Sequence, residues 1–183
     1  MIKNIGIFCG AKMGVSDTYR ETVQHLVDAL CQHGLTIVYG GGHVGLMGVV
    51  ADQALKNQGN IIGVIPRAMV DIELAHPGLT ELHIVDSMNE RKVLMAELSD
   101  AFILLPGGVG SLDEFFEMVT LRQLRYQNKP CAILNSHHYY DHLIKFLDHA
   151  NQEGFLTAPH HHMFITTNSI EELLRKLVVS NAN

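Results

Sequence analysis

Five short runs in this chain are apolar almost without interruption: Ile5–Cys9, Leu35–Tyr39, Ile61–Ile65, Ala101–Leu105 and Cys131–Leu134. A strand with one face in water alternates polar and apolar residues. Strands that do not alternate need cover on both faces, which is the condition of a parallel sheet between two layers of helices. Gly10, Gly40, Pro66 and Pro106 end four of the runs. Between the runs, apolar residues recur at helical spacing. Val23, Leu26, Val27 and Leu30 form one such stripe, after Ser16 as a cap and before Gly34 as a stop. Leu46, Val49, Val50, Ala54 and Leu55 form the next, closed by Gly59. Pro66 to Leu79 lacks periodicity and reads as a loop with a short helix. A strand at Leu82–Val85, helices at Met88–Leu98, about 111–125 and about 139–152, and a last strand and helix over about 163–179 complete the series. The pattern predicts an α/β fold, a Rossmann-like doubly wound parallel sheet with helices on both faces, as one domain over residues 1–183.

Ligands of such sheets bind beyond the carboxyl ends of the strands, where the strand order reverses. Two glycine-rich turns, 40–45 and 106–110, fall at strand carboxyl ends and are expected to converge on one ligand. The second opens a helix, so backbone N–H groups and the helix dipole favour an anion there. Glu114 is expected in the first turn of that helix, beside a phosphate-sized cradle, which points to chemistry on a phosphorylated small molecule. The 40–48 run does not match the G-x-G-x-x-G spacing, and Ile65-Pro66 leaves no acid at the end of strand three. A G-x-x-x-x-G-K-[ST] loop is also missing. Dinucleotides and nucleoside triphosphates therefore fit poorly, and a nucleoside monophosphate or sugar phosphate is left by elimination.

Glu114 has two readings at this point. Ser111-x-x-Glu114 matches a capping box, in which the carboxylate would reach back to the backbone of Ser111, and the spacing weighs equally for that and for catalysis. Ser87-x-x-Glu90 repeats the pattern and is read as structural. Arg91 and Lys92 then stand in the first turn of a helix, where the dipole disfavours cations. Arg91 is thus a ligand for substrate phosphate or hydroxyls, through its planar fork of donors, or one half of a solvated charge pair.

A chain that is 47% hydrophobic and 17% charged is not disordered. Net charge is -6 without a basic block, so nucleic acid is not an expected partner. No apolar run approaches the roughly 18–20 residues of a membrane span, and Met1-Ile-Lys-Asn4 lacks the layout of a signal peptide. Cys9, Cys31 and Cys131 suit reduced thiols in the cytoplasm. The twelve histidines include His137-His138 and His160-His161-His162, but no metal-ligand spacing accompanies them, and no metal is expected. A pyridoxal-dependent decarboxylase is not supported either, as no lysine stands out for a Schiff base.

Three stretches carry a resemblance. Tyr39-Gly-Gly-Gly-His-Val-Gly-Leu-Met-Gly48, Asp86-Ser-Met-Asn-Glu-Arg-Lys92 and Pro106-Gly-Gly-Val-Gly-Ser-Leu-Asp-Glu114 occur in order, each at an expected strand-to-helix turn. They resemble the motifs of the LOG (Lonely Guy) family, cytokinin riboside 5′-monophosphate phosphoribohydrolases often mislabelled lysine decarboxylases. The similarity runs from Cys9-Gly10 to Gly154-Phe155-Leu156. It implies cleavage of the N-glycosidic bond of an N6-modified adenosine 5′-monophosphate to free base and ribose 5-phosphate. No cofactor is implied, and the assembly would be a homodimer or larger, with sites near the subunit interface.

Carried over by position, Arg91 and Glu114 match the catalytic pair, while Glu73 and Lys92 match substrate-binding positions and Thr120 a further contact. Gly108, Val109, Gly110 and Ser111 match the loop that holds the nucleotide. Gly107, Leu112, Asp113, Met88, Gly41 and Gly42, from the same motifs, complete the substrate-binding set. Three positions depart from the family pattern: Ala11-Lys12 replaces two serines of the first turn, Ser111 replaces threonine, and Leu121 stands where many members have tryptophan at the wall around the base. A broad purine nucleotide nucleosidase acting on plain AMP, and a nucleotide or cofactor carrier without turnover, are the alternatives.

Overall fold

The computed structural model describes residues 2–72, 74–157 and 159–180. Seven strands, β1 (Asn4–Phe8), β2 (Thr36–Tyr39), β3 (Ile61–Pro66), β4 (Glu81–Val85), β5 (Ala101–Leu104), β6 (Cys131–Leu134) and β7 (Ile165–Thr167), form one sheet in the order β4-β3-β2-β1-β5-β6-β7. Every neighbouring pair runs parallel. The chain builds outward from β1 to β4, then returns to place β5 against the free side of β1, with Phe8 opposite Leu104. The order reverses between β1 and β5, so the turns after these two strands open a crevice between them.

The helices are α1 (Asp17–Gln32), α2 (Gly45–Lys56), α3 (Met88–Leu98), α4 (Val109–Gln123), α5 (Asp141–Gln152), the single turn α6 (His160–Met163) and α7 (Ile170–Ser180). They cover both faces. Ile5, Ile7, Ile37, Tyr39, Ala101 and Ile103 pack toward Val23, Leu26, Leu30, Val50, Ala54, Leu173 and Leu177 of α1, α2 and α7. The intervening residues Phe8, Val38, Phe102 and Leu104 pack the other way, with Met95, Phe115, Met118 and Leu147 of α3, α4 and α5. Side chains along a strand alternate faces, so continuous apolar runs supply both layers. Each fully buried leucine or isoleucine contributes about 1.5–3 kcal/mol.

Two local readings of the sequence change. The helix expected to start at 111 begins at Val109, because Gly108 is its N-cap in extended backbone (φ -100°, ψ -155°). Ser111 is therefore inside α4 and Glu114 lies in its second turn, which rules out the Ser111–Glu114 capping box. Before α5, Ser136–His138 form a short 3-10 turn in which His137 and His138 adopt φ of 54° and 60°. The Ser87 cap does form: its hydroxyl accepts the Glu90 N–H at 3.1 Å, while Glu90 accepts the Asp86 N–H at 3.0 Å.

Candidate active site

The crevice between β1 and β5 is a cavity of about 570 Å³. One wall is the turn after β1, from Cys9 to Gly14, and the facing wall is the turn after β5, from Pro106 to Gly108, with the start of α4. The two turns are tied directly, as the Gly10 N–H donates to the Pro106 carbonyl at 3.0 Å. Gly108 has no side chain to cap α4, so the N–H groups of Val109, Gly110 and Ser111 lack both an intrahelical carbonyl and a cap. Lys12, in the turn after β1, also lines the cavity.

Arg91 and Glu114 line the same cavity, with the guanidinium Nε 3.9 Å from Glu114 Oε1. Arg91 is 4% exposed, an uncommon state for a cation, and its Nη2 donates to the Gly40 carbonyl at 3.0 Å. The helix α3 delivers Arg91 from one side and α4 delivers Glu114 from the other. Glycine at 40 leaves room for this arrangement: a Cβ there would overlap Nη2 of Arg91 and displace the guanidinium. Four methionines, Met13, Met47, Met69 and Met88, supply apolar lining, and Tyr19 and Tyr139 form an aromatic side, their ring centroids 5.6 Å apart and edge-on. A helix start suited to a phosphate, a buried cation–carboxylate pair and an adaptable apolar wall thus share one space.

Of the residues expected at the site, Arg91, Glu114, Met88, Gly107, Gly108, Gly110, Ser111 and Asp113 line this cavity. Val109 is at the helix start but 84% exposed, and Leu112 packs against the core beneath the sheet. Thr120 is exposed, near the far end of α4. Lys92 turns away from the cavity to Glu117 (2.5 Å) and Asp113 (3.2 Å), lining the adjacent groove. The contacts with Glu117 and then Asp113 hold the ammonium pKa above its ordinary value, against the opposing effect of burial. Leu121 lines that same groove. Glu73 lies outside the described residues.

The 40–45 turn does not meet the 106–110 turn across the ligand space. Gly41 and Gly42 pair instead with the loop before β4: the Gly41 carbonyl accepts the His76 N–H at 3.0 Å, and Gly42 bridges Ala75. Gly45 (φ +58°) backs onto the peptide of Ala11–Lys12, and the Leu46 N–H donates to the Gly10 carbonyl at 3.0 Å. The turn after β2 therefore buttresses the turn after β1, which is the one that faces the cavity. Sequence reasoning missed Met13, Tyr19, Met47, Met69 and Tyr139. Met13 and Tyr19 reach the cavity because β1 lies beside β5, an adjacency that the sequence pattern does not give.

Near that buttress, His43, Asp52 and His76 bring their potential ligand atoms within 4.8 Å of one another. Nδ1 of the buried His76 accepts the Gly78 N–H at 3.1 Å, so the ring proton sits on Nε2 and is donated to Asp52 at 3.0 Å. A metal would need the lone pair of that same Nε2. His76 and Asp52 form a hydrogen-bonded staple that fastens the loop before β4 onto α2, with the His43 ring edge-on against His76.

A family model described as "Possible lysine decarboxylase" matches residues 47–177. A Rhodococcoides fascians protein named cytokinin riboside 5′-monophosphate phosphoribohydrolase is 46% identical over 92% of this chain and 86% of its own. An Arabidopsis thaliana protein bearing that name is 38% identical over 96% of this chain and 77% of its own. Among solved structures, a molybdenum cofactor binding protein from Rippkaea orientalis superposes with a TM-score of 0.71 at 20% identity, covering 97% of this chain and 98% of that one. The Moco carrier protein of Chlamydomonas reinhardtii gives 0.72 at 16% identity, covering 100% and 99%. At such low identity these two speak for the doubly wound fold alone. The sequence matches and the motifs at the crevice together place the family: this chain belongs to the LOG family of cytokinin riboside 5′-monophosphate phosphoribohydrolases.

Proposed function

We propose that this protein hydrolyses the N-glycosidic bond of N6-modified adenosine 5′-monophosphates, releasing the free base and ribose 5-phosphate. The observation that carries this is the buried Arg91–Glu114 pair, 3.9 Å apart, in the same cavity as the uncapped start of α4. The 5′-phosphate binds at the α4 N–H groups, with Lys12 in the same cavity. As the bond from C1′ to the base nitrogen breaks, positive charge builds on the ribose. The Glu114 carboxylate stabilises that charge and takes a proton from the water whose oxygen adds to C1′. The departing base takes up a proton from solvent at its nitrogen, and Glu114 returns its own to solvent. Arg91 holds Glu114 in place and binds ribose hydroxyls or phosphate. Phosphate binding remote from C1′ contributes to positioning the reacting atoms.

The methionine lining supports a substrate with an apolar N6 group, because unbranched thioether chains adapt to irregular apolar shapes. Incubation with AMP and with N6-isopentenyl-AMP, following base and ribose 5-phosphate by chromatography, tests the reading. Faster release from the isopentenyl substrate is expected. Equal rates would make this a broad purine nucleotide nucleosidase, and binding without release from either would make it a carrier.

We further read residues 1–183 as one nucleotide-monophosphate-binding domain, supported by a single sheet with a core on each face. Among the described residues no helix is long and apolar enough to cross a membrane. Cys9, Cys31 and Cys131 form no disulfide, which supports a cytoplasmic setting. A homodimer or larger assembly is supported by the family relation and by the apolar groove of α3 and α4, where Val93, Leu121 and Tyr126 stand with Lys92 and Glu117. Sedimentation velocity is expected to give at least twice the 20.3 kDa chain mass, and Val93→Lys is expected to shift it toward one chain.

A further inference from the structure

Resting on the reading that α4 binds the substrate phosphate, we propose that Tyr139 is a positioning residue for that anion cradle. Its hydroxyl donates to the Gly107 carbonyl at 2.7 Å. Gly107 is the last residue before the α4 cap, and a planar trans peptide sets its C=O antiparallel to the N–H of Gly108. Fixing the carbonyl therefore fixes where the Gly108 N–H points, at the entry to the Val109, Gly110 and Ser111 donors. Polarising it makes that N–H a further, stronger donor.

The whole turn is held in this way, from its carbonyl side. Three successive carbonyls each accept a bond: Leu105 from the Tyr140 hydroxyl (2.8 Å), Pro106 from the Gly10 N–H (3.0 Å) and Gly107 from Tyr139. Of these donors, Tyr139 is the side chain that also lines the cavity, so it can answer to what the cavity holds.

A costly backbone places it there. His137 and His138 are consecutive non-glycine residues in the left-handed region, at φ 54° and 60°. Strain of that kind persists where the surroundings fix it, and it gathers at functional sites. Asn135 accepts the Tyr140 N–H and donates to Asp141, both at 2.8 Å, and His137 meets the Thr22 hydroxyl at 3.2 Å. The turn so held presents Tyr139 edge-on to Tyr19 and Tyr140, at 5.6 and 4.7 Å between ring centroids, with its hydroxyl over Gly107.

Tyr139→Phe keeps both ring contacts and removes the hydroxyl alone. Calorimetric titration of wild type and variant with ribose 5-phosphate, inorganic phosphate and adenosine is the test, with melting curves alongside. Ribose 5-phosphate and inorganic phosphate are expected to bind about 5- to 30-fold more weakly to the variant, from loss of one hydrogen bond. Adenosine affinity is expected to stay within about twofold, and in turnover assays the loss falls on KM rather than kcat. Unchanged phosphate affinity, equal losses for adenosine and the phosphates, or no phosphate binding by the wild type would each overturn the proposal. Because the readout is binding, an absence of turnover with the phosphate-selective loss intact would sink the hydrolase reading and leave Tyr139 in this role.

Discussion

A methyl group at Gly40 would overlap Nη2 of Arg91, which donates to the Gly40 carbonyl and would have to shift into the cavity it lines. Gly40→Ala should therefore displace the guanidinium from both the Gly40 carbonyl and Glu114. We expect kcat/KM to fall by about 100-fold, the scale of a misplaced catalytic group, with secondary structure by circular dichroism retained. Wild-type kinetics in this variant would show that Arg91 does not need its observed place. Arg91 itself was legible in the sequence, since a cation in the first turn of a helix asks for an anion. The carbonyl that holds it was not, because a contact across 51 residues of chain leaves no local pattern. Lys92 shows the limit of the same reasoning. It shares the unfavourable helix position, yet its answer is Glu117 and Asp113 rather than the cavity.

At the level of elements, α4 starts without a capping side chain, as α2 and α5 do, and at Gly108 space is open for one. Gly108→Asp would supply the cap and place a like charge beside the bound phosphate. The expected outcome is an unchanged or slightly raised Tm together with a KM for nucleotide raised about tenfold or more. A raised Tm with unchanged KM would take the phosphate away from α4. The strand β6 carries a second prediction. Burial raises the Cys131 thiol pKa from 9.0 to about 12. In the unfolded chain the thiol ionises first, so its contribution to stability is intact below about pH 9 and declines as pH rises toward about 12. Native protein treated with iodoacetamide at pH 8 should remain unmodified at Cys131 by peptide mass, and urea should expose it. Rapid native labelling would contradict its burial. The elements themselves were largely readable, because wholly apolar runs such as Ala101–Leu105 leave few alternatives. The start of α4 was misjudged by two residues, since Ser111 imitates a cap and Gly108 carries no signature of one. The left-handed pair at His137–His138 was invisible, because contacts from Asn135 and Thr22 impose it and histidine does not favour it.

Over the whole molecule, the order β4-β3-β2-β1-β5-β6-β7 brings everything to one crevice. Reversal beside β1 puts the first turn against the turn after β5, with α3 and α4 supplying Arg91 and Glu114 to the same cavity. The sequence pattern implied a doubly wound sheet but did not say which strands adjoin. The turn after β2 was therefore expected to line the crevice, where the turn after β1 stands instead. The most direct test compares wild type with Glu114→Gln on N6-isopentenyl-AMP, following ribose 5-phosphate release while recording each melting curve. Since Glu114 is not a helix cap, Tm should move by about 5 °C or less, as expected for 1–2 kcal/mol in a chain of this size. Turnover should fall by about 100-fold or more, the contribution of a general base positioned at the reacting centre. Near-normal release by the variant, or none by the wild type, would contradict the account.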